Sequence, residues 1–376
     1  MQEPFVLFCA GEDSGDVLGE SLVQGAIRLG LVARGVGGCR MQAAGLDAVE
    51  NYETLPVSGF LDIFPRFFRL KKILSHLESL LKSEACVALV CVDYPGFNMK
   101  LVRMAERLNK PALYVAPPQA WAWKSGRVNY LRSVRLAVLF EFERKFYEEH
   151  GCKAVCLQHP FPRVVGDNSN AGLLLLPGSR KAQALRNLPF FADVALRWHS
   201  ANPSGKAVVL ASRASLAEAF TQALRKSFGQ NIPEWVSVEV PPMDAGARAA
   251  MFSGYSYALS APGSASLELA RSGVPLVVSG IIEPLTYFIG KRFVKTDYFA
   301  LPNILLQQGA VPEYFFTCGQ SHKEANASEV ARAVCSGNTE TSRAIADALD
   351  ETFVNAKSPD ALMLEFLGEF VKRDAH

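Results

Sequence analysis

Short apolar runs alternate with longer amphipathic stretches along most of the 376-residue chain. The apolar run Phe5 to Ala10 predicts a buried strand, the polar sequence Gly11 to Asp16 predicts a turn, and Val17 to Leu29 predicts a helix. The same pattern predicts further strands at 88–92, 112–115, 136–140, 173–176 and 207–210, and helices at 99–108 and 143–150. Strands that alternate with helices are typical of an α/β fold built on parallel sheets.

A polar, turn-rich passage at residues 166–171 interrupts this alternation, which then begins again. Because a chain of this length exceeds the usual size of one compact core, we predict two Rossmann-like domains whose parallel sheets face each other across a cleft. The predicted domains are residues 1–163 and 164–344. Amphipathic helices at 345–376 are predicted to pack back on the first domain or to be exchanged between subunits, which predicts a monomer or a swapped homodimer.

The charge is nearly balanced, with 39 basic and 37 acidic residues, which argues against a nucleic-acid-binding protein. Eight cysteines are scattered without a Cys-x-x-Cys pair, so we predict buried thiols and a cytoplasmic location. The N-terminus lacks the basic and long apolar regions of a signal peptide, and no apolar run reaches the roughly 18 residues of a membrane span. The six histidines show no metal-ligand spacing, and we predict a reaction without a metal or other cofactor.

The segment Ser260 to Pro275 predicts an anion-binding helix start. Residues 257–259 predict the end of a strand, 262–264 a tight turn, and 265–271 a helix. The first N–H groups of such a helix suit a phosphate, and Glu268, about one turn further on, can accept hydrogen bonds from two ribose hydroxyls. The segment therefore favours a nucleotide site, and the alternative is an ordinary strand-to-helix turn with a solvated Glu268.

Polar residues also follow two predicted strands of the first domain. Asp93 follows the apolar strand 88–92, so its carboxylate is predicted to project into the cleft as a general base. The alternative is that Asp93 caps the helix that begins near Phe97. Glu12 and Ser14 follow the first strand, where capping by Ser14 or Asp13 is the alternative to a role in the reaction.

Two polar groups in the second domain are further candidates for ligand contact. Arg180 directly follows the turn Gly178-Ser179, and its guanidinium fork suits a diphosphate; the alternative is a surface arginine beside a turn. The other group flanks an aromatic, proline-containing turn. Its spacing indicates that these polar side chains line one side of a ligand site. The group comprises Lys291, Arg292, Lys295 and Asn303.

Aromatic and basic residues recur at helical spacing between residues 60 and 72. The later turns, with Leu74, Leu77 and Leu81, predict the core face of a helix. The first turns combine apolar side chains with a basic collar, which indicates contact with a membrane interface as the alternative to core packing. The predicted membrane-contact residues are Phe60, Leu61, Phe64, Phe67, Phe68 and Arg69.

In their order, these motifs resemble those of the lipid-A-disaccharide synthase family, inverting glycosyltransferases of the GT-B architecture that act at the inner membrane of Gram-negative bacteria. The resemblance spans about residues 10–303 and includes GEDSGD, CVDYPGFN, WAWK, LPGSR, SAPGSASLELARSGVP and KTDYFALPN. It implies transfer of 2,3-diacylglucosamine from UDP-2,3-diacylglucosamine to the 6-hydroxyl of 2,3-diacylglucosamine 1-phosphate, giving a β-1,6-linked disaccharide 1-phosphate and UDP. Inversion implies a single displacement in which a base takes the acceptor's proton.

The resemblance also implies roles for the domains and for the matching residues. The first domain would bind the acceptor and the cytoplasmic face of the inner membrane, and the second would bind the UDP-sugar. Asp93 corresponds to the family's proposed base, and Arg180 and Asn303 correspond to essential polar residues. The residues implied for UDP binding are Gly178, Ser179, Arg180, Gly263, Ser264, Ala265 and Glu268. Those implied for other substrate contacts are Glu12, Ser14, Asn98, Trp123 and Tyr298.

Two departures from the family pattern remove carboxylates: Gly96 replaces Asp, and Gln183 replaces Glu. Their loss suggests a changed acceptor preference or a less active enzyme. One rival hypothesis is another GT-B enzyme, such as a cell-wall UDP-N-acetylglucosamine transferase or a nucleotide-sugar epimerase, which would share the donor half but not the WAWK motif. The other is a non-catalytic lipid-binding protein, which would bind acylated sugars without releasing UDP.

Overall fold

A computed structural model describes residues 3–51, 63–120, 125–282, 298–317, 324–353 and 355–371. The chain divides into two compact units. The first comprises Met1–Pro160 together with Phe353–His376, and the second comprises Phe161–Thr352.

Parallel strands covered by helices build the first unit. The strands are β1 (Phe5–Ala10), β2 (Val32–Gly37), β3 (Asp47–Asn51), β4 (Cys86–Val92), β5 (Ala112–Val115), β6 (Arg135–Val138) and β7 (Lys153–Cys156). Within the described residues they form one seven-stranded sheet in the order β3-β2-β1-β4-β5-β6-β7. The central strands β1 and β4 are apolar and buried almost throughout, as expected for parallel strands with both faces covered.

The helices of the first unit begin earlier than the sequence pattern predicts. They are α1 (Asp13–Arg28), α2 (Cys39–Ala43), α3 (Ile63–Lys82), α4 (Pro95–Arg107) and α5 (Glu141–Glu149), with a 3₁₀ helix at Ser125–Tyr130. The predicted turn at 11–16 is wrong from residue 13 onward, because α1 starts at Asp13 with acidic side chains that suit a helix N-terminus. Helix α4 starts four residues before the predicted Met99, with Pro95 in its first turn, where the missing N–H costs nothing.

The end of the chain returns to the first unit. Lys357 pairs with Leu157 just after β7, and the helix Pro359–Val371 packs on α1. Met363 and Leu367 share a buried apolar cluster with Leu22 of α1. This returning segment begins at residue 353 rather than at the predicted 345.

The second unit repeats the parallel arrangement. Its strands are β8 (Asn170–Leu176), β9 (Ala207–Leu210), β10 (Val236–Glu239), β11 (Tyr255–Ser260), β12 (Leu276–Ile282) and β13 (Glu313–Thr317). In the part of the chain that the structure describes, they form a six-stranded sheet in the order β10-β9-β8-β11-β12-β13. Its helices are α6 (Lys181–Ala201), α7 (Ala214–Ser227), α8 (Ala245–Ser253), α9 (Ser264–Arg271), α10 (Leu301–Leu306), α11 (Glu324–Cys335) and α12 (Thr339–Glu351), so that the returning helix of the first unit is α13.

Helix α12 belongs to the second unit because it packs on α9, with Ala346 and Leu349 fully buried. Asp350 on α12 accepts a hydrogen bond from Nε of Arg271 on α9 at 3.0 Å and pairs with Arg163 at 3.3 Å. These contacts explain why residues 345–351 do not return to the first unit as predicted.

Two smaller predictions concern buried side chains. Leu77 and Leu81 of α3 are fully buried, which confirms the predicted core face of that helix. Cys9, Cys86, Cys91, Cys152 and Cys156 are buried thiols, as predicted, whereas Cys39 is exposed.

Candidate active site

Asp93 lies at the turn between β4 and α4. Its backbone N–H donates to the carbonyl of Val115 at 2.9 Å, which continues the sheet pairing to the last residue before the turn. Asp93 and Tyr94 then adopt left-handed backbone conformations, with φ angles of 51° and 50°. Such conformations cost about 1–3 kcal/mol each in a residue other than glycine, and they cluster at functional sites. The chain therefore accepts strain at the position where the sequence predicts a general base.

Both carboxylate oxygens of Asp93 accept hydrogen bonds. Oδ2 accepts the hydroxyl of Ser14 at 2.9 Å, and Oδ1 accepts the backbone N–H of Tyr94 at 2.8 Å. The side chain is only partly buried. The N-cap of α4 is Tyr94, not Asp93. The structure thus fixes the orientation of a partly exposed carboxylate, and the alternative that Asp93 caps α4 is wrong.

Asn98, a predicted substrate contact, is fully buried behind this turn. Its Nδ2 donates to the carbonyls of Cys9, Val92 and Asp93 at 3.1, 3.2 and 2.8 Å. The hydroxyl of Tyr114 donates to the same Asp93 carbonyl at 3.0 Å. Asn98 therefore joins the ends of β1 and β4 and holds the backbone at Asp93.

The start of α1 brings Glu12 and Ser14 to the same turn. Glu12 is the N-cap in an extended conformation and makes no side-chain capping bond, while Ser14 lies inside the first helical turn. Capping by Ser14 or Asp13 is therefore wrong, and the Ser14 hydroxyl is directed to Asp93. Gly11 is required here because a Cβ atom at this position would lie 2.3 Å from the ring of Tyr94.

Asp16 is a polar residue of this region that the sequence pattern did not distinguish. Its Oδ1 accepts the N–H groups of Gly38 and Met41 at 2.8 and 3.1 Å, and its Oδ2 accepts that of Arg40 at 3.0 Å. Burial raises the pKa of this carboxyl, and the hydrogen bonds from the backbone oppose that shift. Asp16 therefore holds the N-terminus of α2 against α1, a contact between residues more than twenty positions apart.

In the second unit, two helix starts lie side by side. Strands β8 and β11 pair up to Leu176 and Ser260, and the N–H of Ala261 donates to the carbonyl of Leu176 at 2.8 Å. The turns at 177–180 and 261–264 therefore leave neighbouring points of the same sheet edge, and helices α6 and α9 begin there. The first N–H groups of a helix have no partner within the helix, so the pair of turns suits a ligand with two phosphates.

The first of these turns contains Gly178 with a φ of 124°, which glycine adopts easily and residues with a Cβ atom rarely adopt. Ser179 and Arg180 are exposed. Behind the turn, Asn187 donates from Nδ2 to the carbonyl of Pro177 at 2.8 Å and accepts the N–H of Ile281 on Oδ1 at 2.9 Å. Asn187 is fully buried and ties the turn to β12, a role that the sequence pattern did not indicate.

The second turn has Gly263 as the N-cap of α9, with a φ of 150°. Ser264 is exposed and Ala265 is partly buried. The hydroxyl of Ser266 donates to the carbonyl of Gly263 at 2.7 Å and fixes the turn from inside the unit. Helix α9 thus begins at Ser264, one residue before its predicted start, and its first turn lies at the sheet edge.

Glu268 lies one turn into α9 and forms a buried ion pair. Its Oε2 accepts a hydrogen bond from Nε of Arg248 on α8 at 3.2 Å, and the side chains are only 14% and 8% exposed. The alternative of a solvated Glu268 is therefore wrong. The carboxylate is held on the face of α9 that packs against α8.

Asn303 lies in the short helix α10, and Tyr298 lies in the segment just before that helix. Asn303 is fully buried; its Nδ2 donates to the carbonyl of Val311 at 2.7 Å and to Oε1 of Glu313 at 2.5 Å, and its Oδ1 accepts the Val311 N–H at 2.7 Å. Glu313 also accepts the N–H groups of Phe299 and Ala300 at 2.8 and 3.2 Å on Oε2. Asn303 and Glu313 together tie α10 and the residues just before it to the start of β13, and Tyr298 is partly buried.

Several predicted residues lie outside the described part of the chain. They are Trp123, Lys291, Arg292, Lys295, Phe60 and Leu61. Phe64, Phe67 and Phe68 lie in α3, but their side chains are also outside the described part. Arg69 is exposed, and its Nη2 lies 4.0 Å from Oε2 of Glu50. Among the described residues, no helix combines the length and the apolar character that crossing a membrane requires.

Comparison with known proteins supplies a family for this arrangement. A sequence model of the family described as lipid-A-disaccharide synthetase matches residues 6–361. The lipid-A-disaccharide synthase of Geobacter metallireducens is 31% identical over 326 residues, which cover 82% of this chain and 82% of that protein. The lipid-A-disaccharide synthase of Alkalilimnicola ehrlichii is 31% identical over 330 residues, which cover 82% of this chain and 84% of that protein.

Solved structures identify the fold. UGT89C1 of Arabidopsis thaliana complexed with UDP has a TM-score of 0.60 and 11% sequence identity, and the match covers 99% of each chain. The similar structures include GT-B glycosyltransferases, and this likeness confirms the predicted GT-B architecture.

Proposed function

This chain belongs to the lipid-A-disaccharide synthase family of glycosyltransferases, and from that premise we propose that it transfers 2,3-diacylglucosamine from UDP-2,3-diacylglucosamine to the 6-hydroxyl of 2,3-diacylglucosamine 1-phosphate. The products are the β-1,6-linked disaccharide 1-phosphate and UDP. The family supports the broader role in lipid A disaccharide formation. The choice of substrates and the inverting mechanism are the parts that require a test.

The second unit would bind the UDP part of the donor. The neighbouring starts of α6 and α9 support this assignment, because helix N-termini favour the charge of a diphosphate. Arg180 would contact the diphosphate and offset the charge that develops as UDP leaves. Glu268, held on α9, would accept hydrogen bonds from the ribose hydroxyls. Tyr298 and the helix α10 that contains Asn303 would border the donor sugar.

The first unit would supply the base. The oxygen of the acceptor 6-hydroxyl attacks C1 of the donor sugar, Asp93 takes the hydroxyl proton, and the bond from C1 to the UDP oxygen breaks with both electrons leaving on UDP. One displacement of this kind inverts the anomeric configuration. The observation that supports this step is the pair of hydrogen bonds that orient the Asp93 carboxylate. One comes from the Ser14 hydroxyl and the other from the Tyr94 N–H.

Both substrates carry acyl chains, so the proposed site of action is the cytoplasmic face of the inner membrane, with peripheral attachment. The sequence between residues 60 and 69 supports this part of the proposal through its aromatic residues and basic collar. Binding to vesicles that contain anionic lipid, compared between the parent chain and Phe60→Asp, tests it. The proposal expects weaker binding in the variant and is contradicted by equal binding.

Product analysis tests the reaction itself. The purified chain is incubated with both lipid substrates in detergent, and the product is identified by mass spectrometry and by the anomeric coupling constant in its NMR spectrum. The proposal predicts a tetra-acylated disaccharide 1-phosphate with a β linkage. An α linkage would contradict single displacement, and the absence of any disaccharide from a chain that binds both substrates would support a lipid-binding protein instead.

A further inference from the structure

The guanidinium of Arg248 on α8 contacts a carboxylate and two backbone carbonyls. Its Nε donates to Oε2 of Glu268 at 3.2 Å, and its Nη1 lies 3.4 Å from the carbonyl oxygens of both Pro242 and Met243. The residue is only 7% exposed. A guanidinium that binds a carboxylate and backbone carbonyls together has one available orientation, because its donors form a rigid fork. Arg248 therefore connects the loop after β10 to the face of α9.

The surroundings of Arg248 strengthen this connection. Its guanidinium carbon lies 5.4 Å from the centre of the Phe161 ring, and Phe161 is fully buried. A buried ion pair is screened less by water and salt than an exposed one, so its partners are held more firmly. Removal of Arg248 would take away the positive charge that the Glu268 carboxylate now faces.

We propose that Arg248 is a positioning residue for nucleotide binding, which holds the Glu268 carboxylate in the orientation that accepts the ribose hydroxyls of UDP. The inference rests on the proposed function, in which Glu268 binds the ribose. Arg248 also offsets the charge of Glu268, which would otherwise repel the diphosphate of the same ligand. Arg248 acts through Glu268 and does not itself contact the nucleotide.

Binding of UDP, measured by titration calorimetry on the full chain, tests this role in four proteins. They are the parent, Arg248→Met, Glu268→Gln and the double variant. Arg248→Met is expected to weaken UDP binding by about tenfold or more, the effect of one charge-assisted hydrogen bond. In the Glu268→Gln background the same change is expected to have little further effect, because there is no carboxylate left to position.

Arg271 provides a matched control at the other end of α9. It also pairs with a carboxylate, that of Asp350 at 3.0 Å, and donates to the carbonyl of Phe161 at 2.7 Å. Arg271→Met removes a comparable ion pair from the same helix, away from the sheet edge, and is expected to lower stability without changing UDP affinity. Arg248→Lys restores the charge without the fork, and is expected to recover part of the affinity.

Each result has one meaning. Unchanged UDP binding in Arg248→Met, or an equal loss in the parent and Glu268→Gln backgrounds, overturns the positioning role while leaving the proposed function intact. A parent chain that binds no UDP overturns the proposed function, and the inference with it. If Arg248→Met does not fold, the same comparison is made with Arg248→Lys, whose loss of affinity must also depend on Glu268.

Discussion

The hydroxyl of Ser14 donates a hydrogen bond to Oδ2 of Asp93 at 2.9 Å, across 79 positions of the sequence. This bond joins the first turn of α1 to the strained turn after β4. Because Oδ1 is held by the Tyr94 N–H, the bond from Ser14 completes the orientation of the carboxylate. In the proposed function, GEDSGD thus contributes a serine that orients the base.

Replacement of Ser14 by alanine should slow the reaction without weakening nucleotide binding. The lost bond is charge-assisted and contributes about 1.5–3 kcal/mol, which corresponds to about a tenfold to hundredfold lower kcat if it acts fully in the transition state. The measurement is kcat for UDP release at saturating substrates, with UDP affinity measured separately. Ser14→Thr keeps the hydroxyl and serves as the control. An unchanged kcat in Ser14→Ala would contradict the orienting role.

A methyl group at Gly11 should disturb the same turn. The added Cβ would lie 2.3 Å from the Tyr94 ring, and overpacking of this kind costs about 1–3 kcal/mol. Urea unfolding should therefore show a less stable Gly11→Ala variant, and the double variant with Tyr94→Ala should lose less stability than the two separate changes predict. Gly96→Ala is the control, because no heavy atom lies within 4 Å of its Cβ position. Additive effects of Gly11→Ala and Tyr94→Ala would contradict the contact.

Replacement of Asn303 by alanine should destabilise the second unit. The change leaves the N–H and the carbonyl of Val311 without their side-chain partner, at a cost of about 1–3 kcal/mol for each buried group. Urea unfolding measures the loss, and Gln308→Ala, an exposed change in the following turn, is the control. If Asn303→Ala is as stable as the parent but has a lower kcat, direct participation of Asn303 in the reaction would be favoured instead.

The chain should tolerate an aspartate at position 96, where it has glycine and the family pattern has Asp. Gly96 is exposed in the first turn of α4, so Gly96→Asp adds a negative charge where the helix dipole favours it and removes a flexible glycine. We expect stability to rise by about 0.5–1 kcal/mol and kcat to stay unchanged. Thermal unfolding and the rate of UDP release check both, with Gly96→Asn separating the charge from the shape. A clear rise in kcat would show that the departure from the family pattern limits this chain.

The strands could be predicted because each is a local property of the sequence. Apolar runs such as Phe5 to Ala10 have one way to bury both faces, and Asp93 is placed at the end of its strand by the same pattern. The first residues of the helices are harder to predict from the sequence than the strands. The first turns of α1 and α4 carry polar residues, glycine or proline, which also occur in loops, so the start of each helix was predicted four residues too late.

The partners of the site residues could not be predicted, since they depend on how distant elements pack. Arg248 lies twenty positions before Glu268 and meets it because α8 packs against α9. Asp16 contacts the first turn of α2 for a similar reason. Nothing in the local sequence distinguishes these residues from the solvated charges around them.

The most direct test of the account is UDP release from UDP-2,3-diacylglucosamine, with and without 2,3-diacylglucosamine 1-phosphate, in the parent chain and in Asp93→Ala. The account predicts release that depends on the acceptor and falls by about 10²–10⁴-fold in the variant, while UDP binding in the second unit is retained. Acceptor-dependent release at the parent rate in Asp93→Ala would contradict the assignment of the base. Absence of release from a parent chain that binds both lipids would contradict the proposed synthase activity.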